Sequence, residues 1–279
     1  MFKQVALIGT GMIGGSLGLA IRSKFAACKV IGYDILPKAL TQAKELGICH
    51  AITSSFAEAV SAADLVLFAS PVHLIADQIL EAIGPARPGT IFSDVGSTKL
   101  EICEKTQPAL AGGKVHFVPG HPIAGSERSG PSAARGDLFE GRLTILCPME
   151  CTPAKVTQLV HDFWQTIGAR VELLSPQEHD RIFALTSHLP HLIAYALAGC
   201  LDAKHAPFTG GGFRDTTRVA QSDPNLWTEI FRSNRNALLK SLDSFKDHLA
   251  QIEKALQEGH MGTVRELLTS SQAARKQVQ

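Results

Sequence analysis

Short apolar runs recur through the first 174 residues, and turn-forming or polar residues separate them. The first run, Val5 to Ile8, ends at Gly9. Runs of this length between turn signals are typical of strands buried on both faces of a parallel sheet. The same pattern predicts further strands over residues 30–34, 65–69, 90–93, 115–118, 143–147 and 170–174. Helical periodicity lies between strands, for example over residues 12–25 and 72–83. This alternation predicts an α/β fold with a doubly wound, mostly parallel sheet of the Rossmann type.

From Gln177 onward the chain shows only helical periodicity. One long segment runs through Ala220 and is interrupted by the glycine run 210–212, a second runs from Pro224 to about Leu256, and a final helix covers about 263–272. The second segment carries an apolar stripe at intervals of three and four, formed by Leu238, Leu242, Phe245, Leu249, Ile252 and Leu256. Such a stripe needs a partner surface, so we expect a homodimer. The predicted domains are an N-terminal α/β domain, 1–174, and an all-helical dimerisation domain, 175–279.

Composition narrows the class of protein. With 45% hydrophobic and 19% charged residues the chain is predicted to be globular, and a net charge of +1 gives no reason to expect nucleic acid or an anionic membrane as a partner. The apolar stretches are expected to be broken by charges well before about 18 residues, so no membrane span is predicted. The N-terminus lacks a signal-peptide pattern. Six scattered cysteines show no metal-binding spacing and are interpreted as reduced thiols of a cytoplasmic protein.

A glycine pattern follows the first predicted strand and opens the first predicted helix. Its residues are Gly9, Gly11, Met12, Ile13 and Gly14. The first glycine permits a tight turn, the second lets the backbone approach a pyrophosphate, and the third allows the helix to pack closely on the strand. Amide N–H groups at the helix N-terminus would hold the phosphates. We therefore expect a dinucleotide cofactor here.

Asp34 ends the second predicted strand, about 20 residues beyond Gly14. A carboxylate accepts hydrogen bonds from ribose hydroxyls and repels a 2′-phosphate, and no arginine follows it directly, so NAD is favoured over NADP. The alternative is that Asp34 only caps the helix that begins at Pro37. Ser70 and Pro71, directly after the predicted strand at residues 65–69, would flank the same cleft.

Two polar segments follow later strands and should reach the same edge of the sheet. They are residues 94–99 and 120–127. His121 is a candidate general base, because the pKa of histidine lies near operating pH, although a lone histidine is more often structural.

The helical region contributes two more histidines and several arginines. His188 and His191 share a helix face, but no carboxylate motif accompanies them, so no metal site is predicted. The run Gly210 to Arg218 suits recognition of a substrate carboxylate by guanidinium, or else is a surface loop with solvated arginines.

Taken together, these segments resemble the prephenate/arogenate dehydrogenase family of tyrosine biosynthesis. The matching segments are residues 9–14, 94–99, 120–125, 187–191, 210–218 and 222–227. The His-Pro-Ile-Ala-Gly and Ser-His-Leu-Pro-His segments together are specific to that family.

The resemblance implies NAD-dependent oxidative decarboxylation of prephenate to 4-hydroxyphenylpyruvate, with arogenate accepted as well. By motif position, His121 would draw the proton from the ring hydroxyl, and Ser97 would orient the hydroxyl or the histidine. Arg218 would hold a substrate carboxylate, with His191 nearby. The wall and gate of the pocket would come from Glu127, Asp215 and Trp227.

Three alternatives remain at this point. An arogenate-specific enzyme could use Glu127 to pair with the substrate ammonium. A β-hydroxyacid dehydrogenase would need a lysine in the second domain, and none lies around residues 187–196. A non-catalytic NAD-binding sensor would need the glycines and Asp34 but not His121. The chain continues only briefly past the last predicted helix, so tyrosine feedback, if present, is expected to act at the active site.

Overall fold

The computed structural model describes residues 2–125 and 128–278. Its main sheet has six strands: β1 Gln4–Ile8, β2 Lys29–Tyr33, β3 Ala51–Ile52, β4 Leu65–Phe68, β5 Ile91–Asp94 and β6 His116–Val118. All neighbours are parallel, in the order β3-β2-β1-β4-β5-β6. The predicted α/β fold is confirmed. The order reverses between β1 and β4, which places a ligand crevice at their carboxyl ends.

Helices cover both faces of this sheet. They are α1 Met12–Lys24, α2 Pro37–Glu45, α3 Phe56–Ser61, α4 Val72–Ile83, α5 Leu100–Leu110 and α6 Ala154–Thr166. Along β1, Val5 and Leu7 belong to the core that contains Leu17 of α1. Ala6 and Ile8 point the opposite way, into the core formed with α4. Successive strand residues therefore serve two cores, which explains why β1 is apolar throughout.

The last strands form a separate sheet. Its strands are β7 Gly120–Pro122, β8 Leu143–Leu146 and β9 Arg170–Leu173. β7 pairs antiparallel with β8, and β8 pairs parallel with β9. The expectation that the strands at 143–147 and 170–174 complete the main sheet is therefore wrong. Only Pro119 separates β6 from β7, and its carbonyl accepts from the Cys147 amide at 2.8 Å. Because the chain turns out of the main sheet there, β8 pairs with β7 instead.

Beyond β9 the described chain contains helices and no strands, as the periodicity predicted. The α-helices are α7 Pro176–Phe183, α8 Leu189–Gly199, α9 Gly211–Thr217, α10 Pro224–Ser233, α11 Arg235–Gln257 and α12 Met261–Lys276. A π-helical turn at Ala184–His188 joins α7 to α8, and short 3-10 segments lie at Pro131–Ala133, Ala203–Phe208 and Arg218–Gln221. The domain boundary between residues 174 and 175 stays a prediction.

Two details of the helical prediction are wrong. The segment from Pro224 to Leu256 is not one helix, because it breaks at Asn234. The buried Asn234 side chain donates to the Asp180 carbonyl at 2.7 Å and contacts Nδ1 of His188 at 3.1 Å, and these two hydrogen bonds stabilise the break. The glycine run at 210–212 does not simply interrupt a helix, since α9 begins at Gly211.

The composition argument against a membrane span also fails for one segment. Residues 182–199 contain no Asp, Glu, Lys or Arg, so charges do not break this stretch before 18 residues. The helix Pro176–Gly199 is long and apolar enough to cross a membrane by length and composition. In the structure its π-helical turn and α8 pack against α11. Tyr195 also donates its hydroxyl to the Ser222 carbonyl at 2.6 Å.

Candidate functional site

The loop from residue 9 to residue 14, called the cofactor loop below, joins β1 to α1. Gly9 has φ +94°, and a Cβ placed there would lie 2.7 Å from the Ala69 carbonyl oxygen. A Cβ on Gly14 would lie 2.1 Å from the Gly9 carbonyl oxygen, whereas a Cβ on Gly11 would meet nothing within 4 Å. No side chain caps α1, and its first turn, which includes Met12 and Ile13, contains no acidic residue. The loop therefore offers backbone N–H groups to an anion from an open side.

Asp34 lies at the end of β2 next to this loop. Its Oδ2 accepts from the amide and the hydroxyl of Thr10 at 2.8 and 2.9 Å, and its Oδ1 accepts from the Leu36 amide at 3.0 Å. Asp34 therefore supports the cofactor loop and also the turn into α2. A carboxylate has about four acceptor positions, so this partly exposed group retains capacity for a ribose hydroxyl.

His121 lies in β7, at the carboxyl end of the main sheet, rather than in a loop. Its Nδ1 is 2.8 Å from Nε2 of His179, and Nδ1 of His179 is 2.8 Å from Oδ1 of Asp180. His179 and Asp180 belong to α7 and are almost wholly buried. We call these three residues the histidine chain. It runs from the partly exposed His121 into the protein core.

A buried ion pair holds β7 in place beneath this chain. Lys99 and Asp94 are both fully buried and in contact through Nζ and Oδ2. Nζ of Lys99 also donates to the Gly120 carbonyl at 2.8 Å, and Oδ1 of Asp94 accepts from the Gly120 amide at 3.1 Å. Both backbone groups of the residue before His121 are thereby fixed.

Burial shifts the pKa values of these histidines downward. Desolvation lowers the pKa of His121 well below its usual value, and positive charge on His179, Lys99 and His188 acts in the same direction. The pKa of His179 is lowered by burial even though Asp180 opposes the shift. Burial lowers the pKa of His188 to about 4. The site therefore favours neutral imidazoles near pH 7, which is the form that a general base requires.

A cavity of about 740 Å³ lies between α4 and the helical region, and we call it the central cavity. Its lining includes Pro71, His191, Arg218 and Trp227. The His191 ring stacks on Trp227 with ring centres 3.5 Å apart, and its Nδ1 is 2.8 Å from the Ser187 carbonyl. His191 therefore presents Nε2 away from its own helix. Burial lowers its pKa, and nearby Arg218 adds to the shift.

The structure does not bring every predicted residue to this cavity. Ser97 lies, partly exposed, between β5 and α5, Ser70 lies beside Gly9, and Asp215 is exposed on α9. None of these three lines the cavity, and His121 does not line it either. Glu127 falls outside the described residues, although Gly125 and Arg128 beside it line the cavity.

Sequence reasoning missed His179, Asp180 and Asn234. A His-Asp dipeptide inside a helical pattern does not by itself indicate a functional site. Here its partner is His121, which lies 58 residues away from His179 in sequence. No pattern in the chain predicts that contact. Among the described residues, no set of three or more His, Cys, Asp or Glu side chains is arranged to hold a metal ion.

The fold and the site define a dehydrogenase class in which a Rossmann-type nucleotide-binding sheet is joined to a helical region. Residues 17–173 match the family model described as prephenate dehydrogenase, nucleotide-binding domain. Residues 175–270 match that described as prephenate dehydrogenase, dimerization domain. The chain belongs to the prephenate dehydrogenase family.

Individual relatives agree with this membership. The chain is 36% identical to the cyclohexadienyl dehydrogenase of Zymomonas mobilis, over 99% of this chain and 96% of that protein. The Aquifex aeolicus prephenate dehydrogenase, solved with hydroxyphenyl propionate and NAD⁺, matches with a TM-score of 0.93 and 31% identity, covering 100% of this chain and 99% of that one. Synechocystis arogenate dehydrogenase matches with a TM-score of 0.85 and 27% identity, covering 98% and 99%. These relatives are named for different substrates, although they share one fold.

Proposed function

We propose that this protein oxidises prephenate with NAD⁺ and releases CO₂, giving 4-hydroxyphenylpyruvate, and that arogenate is a second substrate. The observation that carries the proposal is the hydrogen-bonded His121 at the carboxyl end of the sheet that also bears the cofactor loop. A base at that edge can act on a substrate held against a cofactor in the same crevice.

The cofactor loop and Asp34 fit NAD. The Gly11 position is open where a pyrophosphate would approach, and the N-terminus of α1 has no side-chain cap. Ile35 and Leu36, which follow Asp34, are exposed and apolar, so neither offers a cation to a 2′-phosphate. Bound NAD⁺ would supply the hydride acceptor. Met12, Ile13, Ser70 and Pro71 would border it.

Arg218 and His191 would orient the substrate in the central cavity. Arg218 is exposed at the cavity wall, where its guanidinium can bind a carboxylate with two parallel hydrogen bonds. His191 is held by Trp227 and Ser187, so its Nε2 is available as a further hydrogen-bonding group. Trp227 provides the flat apolar wall that a six-membered ring needs.

His121 would accept the proton of the ring hydroxyl as the carbon bearing it loses a hydride. The bond pair that joined the ring to its carboxylate enters the ring as CO₂ leaves, which makes the ring aromatic. The proton can then return from His121 to the phenol oxygen, so the step consumes and releases no net proton. Ser97, near the end of β5, would orient the hydroxyl or the histidine.

Glu127 and Asp215 are proposed as parts of the pocket gate. Gly125 and Arg128, which lie on either side of Glu127 in the sequence, line the cavity. A carboxylate there would pair with the ammonium group of arogenate but gains nothing from the keto group of prephenate. Glu127 is therefore the residue that we expect to set the ratio of the two activities.

The substrate test is NADH formation by the purified protein with prephenate and with L-arogenate, each against NAD⁺ and NADP⁺. We expect activity with prephenate and NAD⁺. Activity confined to arogenate would overturn the substrate assignment, and no activity with either substrate would overturn the proposed function.

The base is tested by His121→Asn. We expect loss of turnover, by roughly 10²- to 10⁴-fold, with NAD⁺ affinity unchanged in a fluorescence titration. The matched control is His116→Asn, a histidine in β6 that lies outside the histidine chain. Retained turnover in His121→Asn would refute the general-base role.

We also propose that the protein is a cytoplasmic homodimer joined through the helical region. All six cysteines are unpaired, which suits a reducing compartment. Leu249 and Leu256 of α11 are 51% and 53% exposed. Leu185, in the π-helical turn before α8, is 57% exposed. A second copy would cover such an apolar face.

Light scattering of wild type and of a Leu249→Glu/Leu256→Glu variant tests the dimer. We expect twice the chain mass for wild type and for the control Gln251→Glu, which changes an exposed polar residue of α11. The double variant should dissociate. A monomeric wild type would contradict the proposal.

A further inference from the structure

The histidine chain fixes more than the position of His121. His179 has one ring nitrogen, Nε2, against His121 and the other, Nδ1, against Asp180, each at 2.8 Å. Both of its hydrogen-bonding groups are therefore used inside the protein. Neutral imidazole has one donor and one acceptor nitrogen, so the direction of one hydrogen bond sets the direction of the other.

Asp180 sets that direction. Its Oδ1 accepts from the Lys99 amide at 2.8 Å and its Oδ2 accepts from the Leu100 amide at 3.0 Å. As a carboxylate it can only accept, so Nδ1 of His179 must donate to it. Nε2 of His179 then has a lone pair and accepts from Nδ1–H of His121. The remaining nitrogen of His121, Nε2, is left without a proton.

We propose that His179 and Asp180 are positioning residues that hold His121 in the tautomer protonated at Nδ1, so that Nε2 is the nitrogen able to act as base. The role of that base rests on the proposed function, whereas the ring proton itself does not. An imidazole in the other tautomer would offer an N–H to the substrate hydroxyl and could not accept its proton.

The surroundings of the pair keep it neutral before substrate binds. The charged and titratable groups that act on His121 through space are Lys99, His188 and His179, and those that act on His179 are Lys99, Asp94 and Asp180. The Phe183 ring packs on both imidazoles, with ring centres 5.0 Å from His121 and 4.5 Å from His179. Asp180 is the negatively charged residue at the inner end of the histidine chain, so it can stabilise positive charge that develops on His121 during turnover.

Three variants separate this role from simple packing. His179→Leu removes the acceptor for Nδ1–H of His121, and we expect kcat to fall about 100-fold with the KM for NAD⁺ unchanged. His179→Gln can still accept from His121 and donate to Asp180, so it should recover to within about 10-fold of wild type. Phe183→Leu is the packing control, because it removes the aromatic ring that packs on both imidazoles and keeps every group of the hydrogen-bonded chain; its loss of kcat should be the smallest.

The decisive readout is the ring proton, observed by two-bond ¹H–¹⁵N correlation of ¹⁵N-histidine-labelled protein at pH 8. The signals of His121 are assigned by their absence in His121→Asn. We expect protonated Nδ1 and unprotonated Nε2 in wild type and in His179→Gln, and a shift towards the opposite tautomer in His179→Leu. A wild-type proton on Nε2, or an unchanged tautomer in His179→Leu, would overturn the proposal.

This readout also separates the inference from the proposed function. Absence of turnover with prephenate and arogenate would refute the proposed reaction. The position of the ring proton would still confirm or refute the proposed tautomer. The wild-type spectrum needs only His121→Asn for its assignment, so the tautomer is decided even if His179→Leu does not fold.

Discussion

Replacing Lys99 by Met tests the buried ion pair of Lys99 and Asp94, which holds β7 at the carboxyl end of the main sheet. Both partners are fully buried, and the substitution leaves the Asp94 charge without its cation. Breaking a buried pair from one side costs about 3–5 kcal/mol. Asp94 would retain the amides of Gly96 at 2.8 Å and of Gly120 at 3.1 Å. We therefore expect the lower end, about 3 kcal/mol.

Urea unfolding followed by circular dichroism measures this loss. With a slope of about 3 kcal/mol per M, the midpoint should fall by about 1 M. The control is Arg135→Met, which breaks an exposed pair with Asp137 and should leave the midpoint unchanged. Adding Asp94→Asn to Lys99→Met should restore part of the stability, because no unpaired charge then remains in the core. A midpoint shift below about 0.3 M in Lys99→Met would refute the reasoning, since that is about 1 kcal/mol at this slope.

Three further perturbations test separate parts of the structure. Gly11→Ala should weaken NAD⁺ binding and leave thermal stability unchanged, whereas Gly14→Ala, with its Cβ 2.1 Å from a backbone oxygen, should lower both; equal stability of the two variants would contradict this. Arg218→Gln should raise the KM for prephenate roughly 10- to 100-fold, as expected for a lost hydrogen bond between charged groups, with the KM for NAD⁺ unchanged. His188, with its pKa lowered to about 4 from 6.5, is neutral when folded, so the unfolded chain binds more protons between these pH values. His188 alone should therefore lower the free energy of unfolding by about 3 kcal/mol between pH 7 and pH 4, and His188→Gln should make the total fall correspondingly smaller.

Features set by local sequence were predictable. The apolar run of β1, the glycine spacing and the position of Asp34 each follow from interactions within about 30 residues, and the structure has them as expected. The family motif around His121 was also visible in the sequence. These signals are local because a strand, a turn and a helix start each depend mainly on their own residues.

Features set by tertiary contacts were not predictable. β7 consists of Gly120, His121 and Pro122, and glycine and proline are poor strand formers. It forms because it is an edge strand beside β8, where a proline is tolerated. Likewise, the helical spacing of apolar residues around Asn234 does not predict a break in the helix. That break depends on acceptors supplied by α7 and by His188.

Asp180 connects the assembly of the protein to the chemistry of the site. Its carboxylate accepts the amides of Lys99 and Leu100 at the start of α5, and its backbone carbonyl accepts from Asn234 between α10 and α11. One residue of α7 thus joins the nucleotide-binding part of the chain to the helical part. Because His179 lies next to Asp180 on α7, a displacement of α7 that breaks the contacts of Asp180 with α5 would also move His179 relative to His121, and the His179–His121 contact sets the tautomer of His121. The packing of α7 on α5 and the tautomer of His121 are therefore expected to change together.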